Sequence, residues 1–246
     1  MGQKQNTIFG IYPVQEALSS DIVIDKLFVQ KDTSNPKIEA ILKMYEGSDI
    51  TFNHVPIEKL NRLTKGNHQG IVAITSPISF HSMEEVVEKA IAKDKNPLFL
   101  VLDQISDVRN FGAIIRTAEC TGVDAIIIQK KGGAPVTGDT VKTSAGAIFK
   151  IPICKVDHIK DAIFYLQASN IVTISATEKT TQSIYDLDLK KPIAIIMGSE
   201  GKGVSKSILN LVDHKAALPL KGDINSLNVS VACGVFLYET IRQRSL

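Results

Sequence analysis

From Leu98 onward, apolar runs alternate with segments of helical periodicity, and this alternation constrains the fold more than any other feature of the sequence. Continuous apolar runs are typical of strands in a parallel sheet that is covered on both faces. The predicted strands are 98–102, 125–128, 151–155, 171–175, 193–197 and 215–218. The predicted helices are 110–121, 158–168, 204–210 and 226–242. The pattern predicts an open, doubly wound α/β domain that binds ligands at the carboxyl ends of its strands.

The preceding residues, 8–76, predict a smaller α/β unit. Its expected helices are 12–19, 36–45 and 57–63, and its expected strands are 26–30, 51–55 and 70–74. The polar stretch 93–97 ends in a proline and interrupts the pattern, which is typical of a domain boundary. We therefore predict an N-terminal domain over 1–77, a linker with one amphipathic helix over 78–97, and a C-terminal domain over 98–246.

Composition narrows the class of protein. With 246 residues, 44% hydrophobic and 22% charged, the chain is that of an ordinary globular protein. No apolar run reaches the roughly 20 residues needed to span a bilayer, and the N-terminus lacks a signal-peptide layout. Cys120, Cys154 and Cys233 show neither paired nor metal-ligand spacing. They predict buried free thiols in a reducing cytoplasm, and we expect no metal site and no membrane partner.

Three further stretches contain polar residues that a fold alone does not require. Residues 110–119 follow the first predicted strand of the C-terminal domain, and the glycine-rich 197–203 follow a later one. The third stretch, 225–232, opens the last predicted helix. An ordinary capped helix would explain one or two of its polar residues. Leu227, Val231, Val235 and Tyr238 recur at helical spacing and predict the face that this helix buries.

Together the three stretches resemble motifs of the SpoU (TrmH-type) family of RNA ribose 2′-O-methyltransferases. The family patterns N-x-G-x-x-x-R-x-A, G-x-E-x-x-G and S-L-N-V-S-x-A occur here in order. One departure is Asp107-Val108-Arg109, where the family has Asp-Pro before the first Asn. The resemblance implies a SPOUT-type α/β domain with a mostly parallel sheet and a C-terminal trefoil knot. The N-terminal part is similar to the small α/β substrate-binding domain of many members.

The resemblance implies that S-adenosylmethionine is the methyl donor. The residues that match the cofactor loops of the family are Gly198, Gly203, Leu218, Leu220 and Leu227. Glycine permits a ligand to approach the backbone closely, whereas a lone leucine is ordinarily part of a core. Nucleotide phosphate is the weaker alternative, because the chain lacks both the P-loop and the dinucleotide fingerprints.

The resemblance also implies a set of catalytic residues: Arg116, Asn110, Asn228, Ser226 and Glu200. We expect Arg116 to grip a phosphate and stabilise an alkoxide, because a guanidinium is not readily deprotonated. The alternative for Arg116 is a salt bridge with Glu119. Ser226 could orient the ribose or cap the helix. Glu200 could fix Arg116 or a loop amide, or it could interact with a helix dipole.

The loop 64–69 offers a cation and amides beside a glycine. On these residues alone, a polar turn and an RNA contact are equally plausible. The resemblance favours RNA, with Lys65, Asn67 and His68 as contacts.

The two-domain layout, together with the segment 9–18, looks most like members that methylate a guanosine of 23S ribosomal RNA. The alternatives are a transfer RNA methyltransferase and a non-catalytic RNA-binding protein of the same fold. A homodimer is also expected. Its residue-level motivation is the apolar surface of helix 110–122, at Ile114, Ile115, Ala118 and Cys120, and the resemblance favours it.

Overall fold

The computed structural model of the chain describes residues 7–46, 50 and 52–246. The chain divides into two compact units. The first runs to Ser79 and includes Pro135–Asp139, and the second comprises Phe80–Ala134 and Thr140–Leu246. The N-terminal six residues and the predicted strand start at Thr51 lie outside the described residues.

The first unit contains a four-stranded sheet. Its strands are Thr7–Phe9 (β1), Ile24–Gln30 (β2), Phe52–Val55 (β3) and Ile71–Thr75 (β4). Its helices are Ile11–Leu18 (α1), Pro36–Met44 (α2) and Ile57–Leu63 (α3). The strand order is β1-β4-β2-β3. β4 is antiparallel to β1 and β2, while β2 and β3 are parallel. The sequence did not predict β1.

Strand alternation distributes the core of this unit over both faces of the sheet. Leu27 and Val29 pack in one cluster with residues of α1 and α2. The intervening Phe28 packs in a second cluster with Leu60 of α3. Successive side chains of a strand point to opposite faces, so helices on both sides are needed to bury them.

The second unit contains a six-stranded sheet. Its strands are Leu98–Asp103 (β5), Ala125–Gln129 (β6), Ile153–Val156 (β7), Val172–Ala176 (β8), Ile193–Gly198 (β9) and His214–Ala216 (β10). Its helices are Met83–Lys93 (α4), Val108–Cys120 (α5), Gly138–Thr143 (α6, whose first two residues belong to the first unit), Ile159–Ala168 (α7), Lys206–Leu209 (α8) and Val229–Arg244 (α9). The order is β10-β8-β9-β5-β6-β7, and each pairing is parallel. The predicted α/β fold with a mostly parallel sheet is confirmed.

Helix α4 belongs to the core of the second unit. Met83, Val87 and Ala90 of α4 are buried in one cluster with residues of α7, α8 and the sheet. The segment 78–97, predicted as a linker, therefore contributes a packed helix to the second unit, which begins at Phe80. The polar break at 93–97 separates α4 from β5 and does not separate the two units.

Helix α9 departs from its predicted form in two ways. It begins at Val229, three residues later than predicted, and its buried face includes Cys233, Phe236 and Leu237. The predicted core face was wrong, because Val231 and Tyr238 on that face are 54% and 57% exposed. The sequence of α9 carries two apolar stripes, and periodicity alone does not show which of them faces the sheet.

The thiols also differ from the expectation in part. Cys154 and Cys233 are buried, and burial raises the pKa of each to about 12, so both stay protonated near neutral pH. Cys120 is exposed on α5, so its predicted burial was wrong. Over the described part of the chain, no helix combines the length and apolarity needed to cross a membrane.

Candidate active site

The loop after β9 is folded back on itself. Ser199 and Gly203 exchange backbone hydrogen bonds, with N–O distances of 3.1 and 2.9 Å. A Cβ atom on Gly198 would lie 2.0 Å from the backbone nitrogen of Val204. Any side chain at Gly198 would therefore force the loop open, because backbone atoms cannot give way as a flexible side chain can. The glycine fixes the position of the residues between Ser199 and Gly203, including Glu200.

A cavity of about 490 Å³ lies beside this loop. Its walls come from the carboxyl ends of β8, β9 and β10 and from the segment that leads into α9. The five predicted cofactor residues all line it: Gly198, Gly203, Leu218, Leu220 and Leu227. Ligand sites of parallel sheets occur at this edge of the sheet.

Sequence reasoning missed one wall of the cavity. Ala176, the last residue of β8, and the next two residues, Thr177 and Glu178, also line the cavity. Their signal was the end of the predicted strand 171–175, which a parallel sheet places at the same edge as the other strand ends. Of the described residues that line the cavity, only Glu178 and Glu200 are ordinarily charged. The cavity is therefore acidic and suits a cationic ligand better than a phosphate.

Three side chains from the three motifs form a polar cluster. The amide nitrogen of Asn110 donates to Oε2 of Glu200 at 3.0 Å. The amide nitrogen of Asn228 donates to Oδ1 of Asn110 at 3.0 Å and to Oε1 of Glu200 at 3.1 Å. These bonds connect α5, the loop after β9 and the start of α9. The two asparagines thereby fix the Glu200 carboxylate at the cavity wall.

Asn228 also caps α9. Its Oδ1 accepts hydrogen bonds from the backbone of Ser230 and Val231 at 3.0 and 3.4 Å, and from Ser230 Oγ at 2.6 Å. Because the oxygen accepts from the helix, the amide nitrogen must point toward Asn110 and Glu200. One side chain thus fulfils a structural role and a role in the cluster. Ser226, predicted as a possible cap, lines the cavity instead and lies before the helix.

The sequence of α5 explains how Asn110 is placed. Asp107 caps the helix and accepts a hydrogen bond from the backbone of Asn110 at 2.8 Å. Val108 occupies the first helical position, where the proline of the family would also fit, so its replacement removes no hydrogen bond. A Cβ atom on Gly112 would lie 2.0 Å from Oγ1 of Thr143. Gly112 therefore allows α5 to pack closely against the end of α6.

Arg116 lies apart from the cluster. It is exposed on α5 and is absent from the residues that line the cavity. Six helical positions rotate it by about 120° from Asn110, given roughly 100° per residue. Its predicted alternative partner Glu119 pairs with Lys150 at 3.7 Å. Within the described ranges, Arg116 makes no side-chain hydrogen bond or ion pair, so its guanidinium is available to a ligand.

Two of the three predicted arrangements of Glu200 are absent. It makes no hydrogen bond or ion pair with Arg116, and it lies in the loop before α8 and not in the first turn of a helix. Its partners are Asn110 and Asn228, which are 90 and 28 positions away in sequence. Sequence reasoning named all three residues but could not pair them.

The three predicted RNA contacts in the loop 64–69 of the first unit differ in their exposure. Lys65 and Asn67 are exposed. His68 is only 8% exposed, and both ring nitrogens are engaged. Nδ1 accepts from the backbone of Gly70 at 3.0 Å, so Nε2 carries the proton and donates to Oδ1 of Asn61 at 3.0 Å. His68 therefore stabilises the loop, which is the polar-turn alternative.

Comparisons with known proteins relate both parts of the chain to RNA methyltransferases. The model of the SpoU rRNA Methylase family matches residues 97–238, and that of RNA 2′-O ribose methyltransferase substrate binding matches residues 7–81. A putative TrmH family tRNA/rRNA methyltransferase, YacO of Bacillus subtilis, is 31% identical over 245 residues, which are 100% of this chain and 98% of YacO. The 23S rRNA (guanosine-2′-O-)-methyltransferase RlmB of Photobacterium profundum is 33% identical over 244 residues, 97% of this chain and 98% of RlmB.

A solved structure extends the similarity to the fold. It is the SpoU methyltransferase AviRb from Streptomyces viridochromogenes in complex with S-adenosylmethionine. Its TM-score is 0.62 at 21% identity, over 97% of this chain and 90% of that one. On the family model, the relatives and the joined motifs, the chain belongs to the SpoU rRNA methylase family, a family of S-adenosylmethionine-dependent RNA methyltransferases.

Proposed function

We propose that the protein transfers a methyl group from S-adenosylmethionine to a ribose 2′-hydroxyl of RNA. The observation that carries the proposal is the Asn110–Glu200–Asn228 cluster beside the acidic cavity. S-adenosylmethionine supplies a methyl group on a positively charged sulfonium. The cavity fits it, because apolar walls lie beside two carboxylates and Gly198 leaves no Cβ to displace the loop.

The residues of the cluster and two further polar residues would have different roles in the reaction. The asparagine amides already donate to Glu200, so they hold its carboxylate in place, and its remaining lone pairs can accept a hydrogen bond from the hydroxyl group. Orienting a poor nucleophile in this way lowers the entropic part of the barrier. Ser226 at the cavity wall is a second group that could orient the ribose. Arg116, which is exposed and unpaired within the described residues, would bind a phosphate and stabilise developing negative charge.

The first unit would bind the RNA. Lys65 and Asn67 are exposed in a loop that packs against the start of α1, where Gln69 Oε1 accepts from the backbone of Ile11 at 2.9 Å. Tyr12, in the first turn of α1, is 63% exposed, and Lys37 Nζ lies 2.5 Å from its hydroxyl oxygen. The bonded Lys37 lowers the pKa of Tyr12. An exposed ring beside an ammonium suits an unpaired base and its phosphate.

The favoured substrate is a guanosine of 23S ribosomal RNA, in line with the name of the Photobacterium relative. Transfer RNA is the alternative, because the name of the Bacillus relative includes both RNAs. Either substrate would place the enzyme in the cytoplasm. Mapping ribose methylation across total RNA, with and without the gene, will identify the nucleotide. If no ribose methylation differs between the two samples, catalysis is refuted and a non-catalytic RNA-binding protein remains.

The cofactor is tested by calorimetry on the whole chain. We expect S-adenosylmethionine to bind, and NAD and ATP to bind far more weakly, because their phosphates would meet Glu178 and Glu200. Tight NAD binding without binding of the methyl donor would refute the assignment.

We also propose a homodimer. The residues that first motivated it do not support it, since Ile114, Ile115 and Ala118 are buried within the chain. Support comes from the exposed apolar side chains at and before α9, Leu227, Val231 and Tyr238. A two-fold axis would bring the same stripe of two copies together. Light scattering should give about twice the chain mass, and Val231→Glu should shift it to one chain mass. The control Phe164→Glu, at another exposed apolar position, should not.

The C-terminal trefoil knot remains a proposal that the family supports. The compatible feature is the strand order, in which β9 lies between β8 and β5 although it follows both in sequence. Pulling the chain by its two ends in an optical trap tests it. A knotted chain reaches a shorter unfolded contour length than its 246 residues allow, whereas the full length would exclude a knot.

A further inference from the structure

We propose that Glu178 makes the cavity select the cationic methyl donor over its neutral, demethylated product. The inference rests on the proposed methyl transfer. S-adenosylmethionine and S-adenosylhomocysteine differ by one methyl group and by the positive charge of the sulfonium. A carboxylate near that charge favours the donor and leaves the binding of the product almost unchanged. Such a residue would help the product to leave after each reaction.

Two observations single out Glu178 among the acidic residues. Glu200, the other carboxylate of the cavity, is bonded to Asn110 and Asn228, so its replacement would disturb the whole cluster. Glu178 lines the same cavity from the segment after β8 and takes no part in that cluster. Its ion-pair partner among the described residues is the adjacent Lys179, with 4.0 Å between Nζ and Oε1. This contact is at the outer limit of an ion pair and is largely exposed, so Lys179 offsets the charge of Glu178 only in part.

The size of the effect follows from exposure. The Glu178 side chain is 52% exposed, so water screens much of its charge. Screened ion pairs contribute about 0.2–1 kcal/mol, and this corresponds to a preference of roughly one and a half- to fivefold. The preference should fall as ionic strength rises, since salt screens exposed charges over about 10 Å at 0.1 M.

A different role for Glu178 gives a different result. If its carboxylate accepted hydrogen bonds from the hydroxyl groups of the bound nucleoside, it would strengthen the binding of donor and product equally, because both carry those groups. The ratio of the two dissociation constants therefore separates recognition of the charge from recognition of the shared part.

The experiment is calorimetry on the full chain with S-adenosylmethionine and with S-adenosylhomocysteine. We expect Glu178→Gln to weaken donor binding roughly one and a half- to fivefold and to leave product binding unchanged. Glu178→Lys should reduce the preference for donor over product further. Glu88→Gln, which removes an exposed carboxylate on α4 outside the cavity, is the matched control and should change neither constant.

Two results would overturn the inference: equal weakening of both ligands by Glu178→Gln, or no change in either. A wild-type chain that binds neither ligand would instead refute the proposed methyl transfer. Thermal shift measurements on each variant show whether it is folded, so a loss of binding through misfolding is recognised.

Discussion

The polar cluster of the second unit and the loop 64–70 of the first unit looked alike in sequence but differ in how their side chains are bonded. Asn110, Glu200 and Asn228 bond to one another across 28 to 118 positions of sequence. His68 bonds to residues two and seven positions away. Short-range bonds stabilise a turn, whereas bonds between distant loops assemble a site. Between these two regions, the long-range bonds mark the candidate site and the short-range bonds of His68 mark a structural role.

The largest expected effect concerns Arg116, whose side chain makes neither a long-range nor a short-range hydrogen bond within the described structure. Arg116→Ala should lower the rate of methyl transfer by about 10²–10³, the typical effect of removing one charge-stabilising group. The melting temperature should hardly change, because Arg116 makes no bond to the described chain. Arg109→Ala, at another exposed arginine of α5, is the control for charge. Near-normal activity of Arg116→Ala would mean that the guanidinium has no catalytic role.

The next largest effect separates the two roles of Asn228. Asn228→Ala should lower the rate of methyl transfer strongly, though less than Arg116→Ala does, and should also destabilise the protein by about 1 kcal/mol, because it removes the cap of α9. Asn228→Ser should keep a cap but lose the bonds to Asn110 and Glu200, so it should be nearly as stable as the wild type and as slow as Asn228→Ala. Denaturant unfolding and a methylation assay measure the two losses. An active serine variant would show that the long-range bonds are dispensable.

The short-range hydrogen bonds of His68 predict an effect on stability. His68→Ala should destabilise the first unit by about 1–3 kcal/mol, since it leaves the buried backbone N–H of Gly70 unpaired. The exposed neighbour Lys65 is the matched control: Lys65→Ala should leave stability unchanged and weaken RNA binding. Unfolding curves and filter binding with ribosomal RNA compare them. If His68→Ala is fully stable but binds RNA poorly, the assignment of His68 to structure is wrong.

The smallest effect concerns a polar group without any bond. Ser175 Oγ on β8 is buried and has no hydrogen-bond partner in the described structure. Removing an unsatisfied buried hydroxyl is nearly neutral or stabilising. Ser175→Ala should therefore change the free energy of unfolding by less than about 1 kcal/mol, with the sign toward stability. Thr173→Ala on the same strand is the contrast. It should destabilise the protein, because Thr173 Oγ1 donates a hydrogen bond to Asp213 at 2.7 Å.

The sequence by itself determined the parallel sheet and the three motifs whose side chains form the polar cluster. Continuous apolar runs such as 193–197 are incompatible with a water-exposed face, so β5 and β9 were predicted as strands of a sheet that is covered on both faces. The motifs identified Gly198, Glu200 and Asn228, because a motif is recognised from residue types and their spacing and needs no knowledge of the fold. Those motifs could not show that Asn228 and not Ser226 caps α9, since both residues can cap a helix.

Only the tertiary structure decided what covers each surface. The two apolar stripes of α9 are equivalent in sequence, and packing against the sheet buries the one with Cys233 and Phe236. Packing likewise buried His68 and left Arg116 and Cys120 exposed. Periodicity shows that a helix has an apolar face, but burial depends on neighbours that are distant in sequence. For the same reason Glu178 became a candidate only when the parallel sheet placed the end of β8 beside the ends of β9 and β10.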